Sequence, residues 1–196
     1  MIGVIDYGSG NIGNLSRALT FLNREHALLK RPDKFPGKEP DALILPGVGA
    51  FPPAMDNLVS SGWRDRLRDW AKGQRPLLGI CLGMQLMCEG STEGEFTEGL
   101  GIFRGVVSRI AGALKLPHVG WNTIYGDGFR DDNFYYFVHS YALGVSADTA
   151  AFTSVDRAEF TAIADRERSV GFQFHPERSG RAGLALLEGY LTGMGV

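Results

Sequence analysis

Three apolar runs in the first half of the chain, residues 1–6, Ala42–Leu45 and Leu77–Ile80, stop abruptly at turns that contain glycine, and helical periodicity follows. This rhythm restricts the fold more than any other feature. Runs of four to six residues bounded by turn signals read as buried strands. After Gly8-Ser9-Gly10-Asn11, apolar residues recur at Leu15, Ala18, Leu19 and Leu22, the i, i+3, i+4, i+7 spacing of a helix face. After Pro46-Gly47-Val48-Gly49, Pro52 and Pro53 suit a first helical turn, and Trp63, Leu67, Trp70 and Ala71 mark an amphipathic helix. After Cys81, residues 82–89 read as a helix with Gly90 in a stopping position. Residues 26–30 supply a further strand. Strand and helix in alternation predict a parallel sheet covered by helices.

Beyond Leu100 the pattern changes. Residues 106–110, 121–125, Tyr135–His139, 151–155 and 161–165 read as successive strands between turns, residues 170–174 run into His175-Pro176-Glu177, and residues 182–191 close with a helix. The expectation is one α/β domain over residues 1–196, an open, mostly parallel sheet flanked by helices, with an antiparallel elaboration in its second half. At 196 residues, 44% of them hydrophobic, a single core needs no disulfide or metal to hold it.

Charge excludes several functions. The net charge is −2 with both signs interspersed, so no nucleic-acid partner is expected. No apolar run approaches the roughly 18 residues of a membrane span, and MIGVIDYG carries no basic leader, so neither a membrane nor a signal peptide is expected. Two cysteines seven apart make neither a disulfide framework nor a zinc site, and the expectation is no metal, no cofactor and a reducing, cytoplasmic setting. The turn Gly8-Ser9-Gly10-Asn11 lacks both the dinucleotide fingerprint and the P-loop lysine, which argues against a nucleotide site.

Chemistry concentrates in Gly79-Ile80-Cys81-Leu82-Gly83. Gly-x-Cys-x-Gly is the thiol form of a nucleophile elbow, where a strand turns sharply into a helix and the crest residue is strained. A sulfur there lies at a helix N-terminus that favours thiolate, and the Leu82 amide points to where an oxyanion would form. Gly79 and Gly83 are expected to relieve the contact across the turn. The competing reading is a small buried residue, as most free cysteines are; Cys88, two turns along the expected helix with no elbow, fits that reading better. A thiol nucleophile needs a base. Of His26, His118, His139 and His175, the last stands at a strand end with Glu177 two residues on, on the same side if the segment is extended, in position to orient the imidazole. Pro46-Gly47-Val48-Gly49 ends a neighbouring strand, where a turn amide can reach the same crevice.

GICLGMQ and FHPE together resemble the class I, triad-type glutamine amidotransferases. DYGSGNIGN (6–14), PGVGAF (46–51), EGLG (98–101), KLPHVGWN (115–122) and YFVHSY (136–141) are more closely similar to the glutaminase subunits of imidazole glycerol phosphate synthases, over nearly the whole chain. The resemblance implies a flavodoxin-like amidotransferase fold. It implies that Cys81 attacks the side-chain amide of L-glutamine, that His175 serves as base and then acid, and that Glu177 orients it. Leu82 and, after the Gly47-Val48-Gly49 turn rearranges, Val48 or Gly49 would hold the oxyanion. Gly47, Gln85, His139, Ser140 and Tyr141 would line the substrate pocket, the Ser140-Tyr141 backbone meeting glutamine's α-amino and α-carboxyl groups. Asn11, Asn14, Trp121 and Arg178 would face a (β/α)8-barrel synthase subunit, forming a heterodimer through which ammonia passes without meeting water. Arg178 stands where the family pattern carries lysine, keeping the charge but not the shape. A related glutaminase feeding another synthase, or an inactive regulatory module on the same fold, are the alternative readings.

Overall fold

The computed structural model describes residues 1–35, 37–130 and 132–196, with the side chain of Arg130 excepted. In chain order the strands are β1 (Ile2–Ile5), β2 (His26–Leu29), β3 (Ala42–Leu45), β4 (Leu77–Ile80), β5 (Cys88–Ser91), β6 (Thr97–Glu98), β7 (Phe103–Arg109) and β8 (His118–Asn122). They continue with β9 (Tyr125–Gly126), β10 (Phe129–Arg130), β11 (Tyr135–His139), β12 (Tyr141–Leu143), β13 (Thr149–Val155), β14 (Ala158–Arg166) and β15 (Ser169–Phe172). The helices are α1 (Ile12–Phe21), α2 (Phe51–Ser61), α3 (Trp63–Lys72), α4 (Leu82–Leu86) and α5 (Gly180–Gly193), with a 3-10 turn at Pro176–Arg178.

The main sheet has nine strands in the order β10-β9-β13-β14-β15-β4-β3-β1-β2. From β15 to β2 every neighbour runs parallel; from β15 outward to β10 every neighbour runs antiparallel. Period-2 side-chain alternation, with a layer on each face, explains why the central strands β1, β3 and β4 are apolar throughout. Ile2, Val4, Ile44, Leu78 and Ile80 face one side with Leu15, Leu19, Leu187 and Leu191 of α1 and α5. Ile5, Leu43, Leu45 and Leu77 face the other, against Phe51, Leu58, Trp63, Leu67 and Trp70 of α2 and α3. Helices on both faces are what an all-apolar strand requires. Among the described residues no helix is long and apolar enough to cross a membrane, and no cluster of His, Cys, Asp or Glu has metal-binding geometry.

Two expectations change. The helix expected over residues 82–89 ends at Leu86, and Cys88 lies on β5, in a second sheet of order β12-β7-β5-β6. Tertiary pairing overrides the helical pattern here, since the chain from Cys88 to Ser91 pairs with β7. Gly90 has no room for a Cβ, which would meet Phe96 and the Thr97 carbonyl oxygen at 2.7 Å. Residues 51–72 form two helices rather than one, because Gly62 takes a left-handed conformation (φ 81°) between them.

In the parallel half, the chain leaves β1, β3, β4 and β15 at the same rim, so the turns after these strands converge on one crevice. The two-stranded ribbon β8–β11 is tied to that rim by a bond from the His175 amide to the Tyr136 carbonyl (2.9 Å).

Candidate active site

Cys81 occupies the crest of the β4–α4 turn with φ 54° and ψ −110°, a conformation a non-glycine residue holds only under constraint from its surroundings. The constraints are visible. The Cys81 amide donates to the Phe172 carbonyl of β15 at 2.7 Å, and the Gln85 amide donates back to the Cys81 carbonyl at 3.2 Å. The flanking glycines are needed, though not to make room for one another. A Cβ on Gly79 would lie 2.7 Å from the Met84 amide nitrogen, and one on Gly83 would overlap the Leu45 carbonyl oxygen of β3. The elbow is thus pressed against α4 on one side and the neighbouring strand on the other.

His175 follows β15 and is buried. Its Nδ1 lies 2.9 Å from Glu177 Oε1, so Nδ1 carries the proton and Nε2 is directed elsewhere. Among the described residues, Nε2 has no partner that meets hydrogen-bond geometry. The segment is not extended as the sequence implied: Glu177 sits in the 3-10 turn Pro176–Arg178, and that turn folds the carboxylate back onto the ring. Burial alone would lower the pKa of His175, but the neighbouring Cys81 sulfur and the hydrogen bond and charge of Glu177 outweigh it and push it up to about 10. An imidazole held positive beside a sulfur is the arrangement of a thiolate–imidazolium pair. Ser179 braces it further, donating from Oγ to the His175 carbonyl at 2.6 Å and accepting from the Tyr136 amide at 2.9 Å.

The cleft beside Cys81 measures about 430 Å³ and is lined by Leu82, Gln85, His139, Ser140, Tyr141 and His175 together with Val48, Gly49 and Glu93. Gly47 is the exception among the expected pocket residues. It is wedged between the Tyr7 hydroxyl and Gly83, where a Cβ would meet them at 2.7 and 2.9 Å, and it lines a smaller void with Asn11, His175 and Glu177.

The turn after β3 is fastened at two points. Ser9 Oγ donates to the Val48 carbonyl at 2.6 Å and accepts from the Val48 amide at 3.4 Å, so this amide is turned to Ser9. Glu93 Oε2 accepts from the Phe51 amide at 2.8 Å, at the N-terminus of α2 where a carboxylate is favoured.

The sequence reading missed Ser9, Glu93 and Ser179. Ser9 stands inside a turn that reads as a strand-to-helix connection and as part of the resemblance, with nothing local to give it a partner 39 positions away, and Glu93 has no local signal because its partner lies 42 positions away.

On the outer face, Trp121 and Tyr136 meet edge to face with centroids 5.9 Å apart, and the Arg178 guanidinium sits 4.1 Å over the Tyr136 ring. Trp121 is 55% exposed. Asn14 accepts from Arg17, and Asn11 borders the void behind His175 and Glu177.

The family model for class I glutamine amidotransferases matches residues 3–190. The chain belongs to the class I glutamine amidotransferases. Its relatives are close. A protein of a Synechococcus strain, named imidazole glycerol phosphate synthase subunit HisH, is 43% identical over 97% of this chain and 93% of its own length. Proteins of the same name are 41% identical in Methanopyrus kandleri, over 98% of both chains, and 39% identical in Oceanobacillus iheyensis, over 97% and 98%. Among solved structures, one described as a glutamine amidotransferase superposes with a TM-score of 0.78 at 18% identity, covering 100% of this chain and 99% of its own. That of PurLQS from Thermotoga maritima gives 0.71 at 17%, covering 98% of each. These two likenesses speak for the amidotransferase fold.

Proposed function

We propose that this amidotransferase domain, residues 1–196, is the glutaminase subunit of an imidazole glycerol phosphate synthase. Cys81 would attack the side-chain amide carbon of L-glutamine while the tetrahedral oxyanion takes the negative charge. His175, as imidazolium, would give its proton to the departing nitrogen, releasing ammonia and leaving a γ-glutamyl thioester. Water, losing a proton to His175, would then open the thioester to glutamate and return the sulfur as thiolate. Glu177 would hold the tautomer and balance the imidazolium. The observation that carries this reading is the His175 ring, bonded to Glu177 at 2.9 Å and raised in pKa by Cys81. The relatives' shared name supports the choice of synthase.

Leu82 would supply one oxyanion donor from the first turn of α4. Its counterpart would come from Val48 or Gly49, after the turn leaves Ser9. A missing donor of this kind lowers kcat by about 10²–10³, so a fastened turn would keep glutamine from being wasted in the absence of a synthase. The substrate's placement follows from which groups are already engaged. The Tyr141 carbonyl accepts from both Gln85 Nε2 (2.7 Å) and His139 Nδ1 (2.9 Å), and the Ser140 carbonyl from the Ile110 amide (3.0 Å). With the Tyr141 carbonyl fully engaged, the α-ammonium would meet the Glu93 carboxylate on the cleft wall, and the Ser140-Tyr141 backbone would meet the α-carboxylate. Trp121, Tyr136 and Arg178, with Asn11 and Asn14, would dock a (β/α)8-barrel partner. Tyr136 reaches His175 directly through its backbone, which gives the docked face a short route to the triad. Ammonia passed inside such a complex stays unprotonated and nucleophilic. The cytoplasm, where thiols persist, is the setting we assign.

The test is reconstitution with the barrel synthase subunit and its ribonucleotide substrate. Glutamine-dependent synthesis, with little glutamine turnover by the chain alone, is expected. Turnover that is already full without a partner would refute the fastened turn, and synthesis only with a different synthase would refute the assigned partner.

A further inference from the structure

Gln173 has no place in the mechanism so far, yet it is wholly buried and its side chain reaches the nucleophile. Its amide nitrogen lies 3.9 Å from Cys81 Sγ, and its oxygen lies 3.1 Å from Gln85 Nε2. The neighbours fix which end is which. The Tyr141 carbonyl can only accept, so the group facing it at 2.7 Å is the NH₂ of Gln85. That same NH₂ faces Gln173, whose facing atom is therefore oxygen, and the NH₂ of Gln173 is left pointing at the sulfur.

The chain of partners continues away from the nucleophile. His139 Nδ1 donates to the second lone pair of the Tyr141 carbonyl at 2.9 Å, which leaves His139 Nε2 bare to accept from His118 Nδ1 at 3.2 Å. Burial keeps His139 neutral, its pKa pushed down to about 3, so this end of the network holds one protonation state across the working range. The backbone of Gln173 is fixed as well, its amide donating to the Ala162 carbonyl at 2.9 Å. On either side of it, Phe172 and Phe174 stack with ring centroids 5.2 Å apart.

We propose that Gln173 is a catalytic residue, its side-chain N–H donating to the Cys81 sulfur and favouring the thiolate over the thiol. The proposal rests on Cys81 being the nucleophile. A donor to the charged form of a group stabilises that form. The bond matters at two points of the cycle. It favours the thiolate before attack. It then weakens as the C–S bond forms and the charge moves to the oxyanion. When water opens the thioester, the electrons of the C–S bond return to sulfur and the N–H is there to receive them. Gln85, through its NH₂, acts as the positioning residue that keeps the Gln173 oxygen turned away from the sulfur.

The charged and titratable groups around Cys81 are His175 with Glu177 behind it, the Tyr7 phenol from the turn after β1, His139 from β11 and Glu93 across the cleft. None of them is altered by changing Gln173. The experiment is the rate of Cys81 alkylation by iodoacetamide against pH, in the full-length chain, followed by peptide mass spectrometry. In the wild type, Cys81 is expected to react ahead of Cys88, and its profile supplies the reference midpoint. Gln173→Met removes the donor at similar volume and is expected to raise that midpoint by about one pH unit, the size of one hydrogen bond to a charged group. Gln173→Glu turns a carboxylate toward the sulfur and is expected to raise it further. A wild-type profile in Gln173→Met overturns the proposal and leaves the nucleophile assignment standing. A wild type in which Cys81 does not outpace Cys88 overturns both. If the variants do not fold, ¹⁵N NMR of the unaltered chain decides. The Gln173 side-chain amide is expected to shift in step with the thiol's titration, and a resonance that stays still refutes the contact.

Discussion

Cys81 and Cys88 are seven residues apart, both free and both buried, and their surroundings are opposite. Cys81 stands at the crest of a strained turn, with an imidazole and an amide N–H directed at its sulfur. Cys88 sits in β5 with its Sγ 3.6 Å from the Met84 carbonyl, and burial, with Asp148 and Glu89 adding to it, pushes its thiol pKa far up. Burial alone therefore does not set the surroundings that a thiol meets. What separates the two cysteines is whether the hidden space holds donors and positive charge or apolar contacts and negative charge.

The largest test of that contrast is Cys81→Ser. We expect glutamine turnover to fall by about 10⁴-fold or more, on the scale of losing a nucleophile, while the complex still uses added ammonia; unchanged turnover would erase the distinction between the two cysteines. The same variant has a pH signature. The folded-state pKa of His175 is raised to about 10, so its charge stabilises the fold fully below the ordinary value of 6.5, and that contribution fades as pH rises toward 10. Without the sulfur's charge the His175 pKa should drop, moving the alkaline loss of stability to lower pH in denaturant titrations at pH 7 to 10.

Next in size is Glu177→Gln, which keeps the shape but lets the imidazole take the wrong tautomer. A loss of about 10²–10⁴ in kcat is expected with KM little changed, and a loss under threefold would remove Glu177 from the triad. Ser9→Ala frees the turn that Cys88's region has no counterpart for. Partner-free glutamine turnover should rise about tenfold, the worth of one to two hydrogen bonds, and steady-state assays of the isolated chain would measure it. The smallest effect is Cys88→Ala. A stability loss of about 1–2 kcal/mol for a buried truncation, with kcat within twofold, completes the contrast; a large drop in kcat at normal stability would break it.

The elbow was readable because every part of it is local. Gly79, Cys81 and Gly83 mark a backbone geometry within five residues, and His175 with Glu177 a strand-terminal pair within three. Even so, a local window gives the wrong reason for both glycines. Gly83 is required by the Leu45 carbonyl of β3, which no five-residue window contains. Residues 82–89 carry helix formers, so Cys88 reads as helical, and the pairing with β7 that pulls it into a strand is invisible along the chain. Glu93 and Gln173 escaped for the same cause, since their partners lie 42 and 92 positions away.

The order of the residues determined by itself the parallel half of the sheet, the sharp turn at Cys81 and the strand end that carries His175. Strand alternation, turn chemistry and helix periodicity act over a few residues, so their signature is written where they act. Tertiary structure alone decided that Ser9 holds Val48, that an amide N–H from Gln173 faces the sulfur, and that Tyr141 has no lone pair left for substrate. Each of these is a bond between segments far apart in the chain, and its existence depends on how sheets and loops come together rather than on any pattern a neighbourhood of residues can carry.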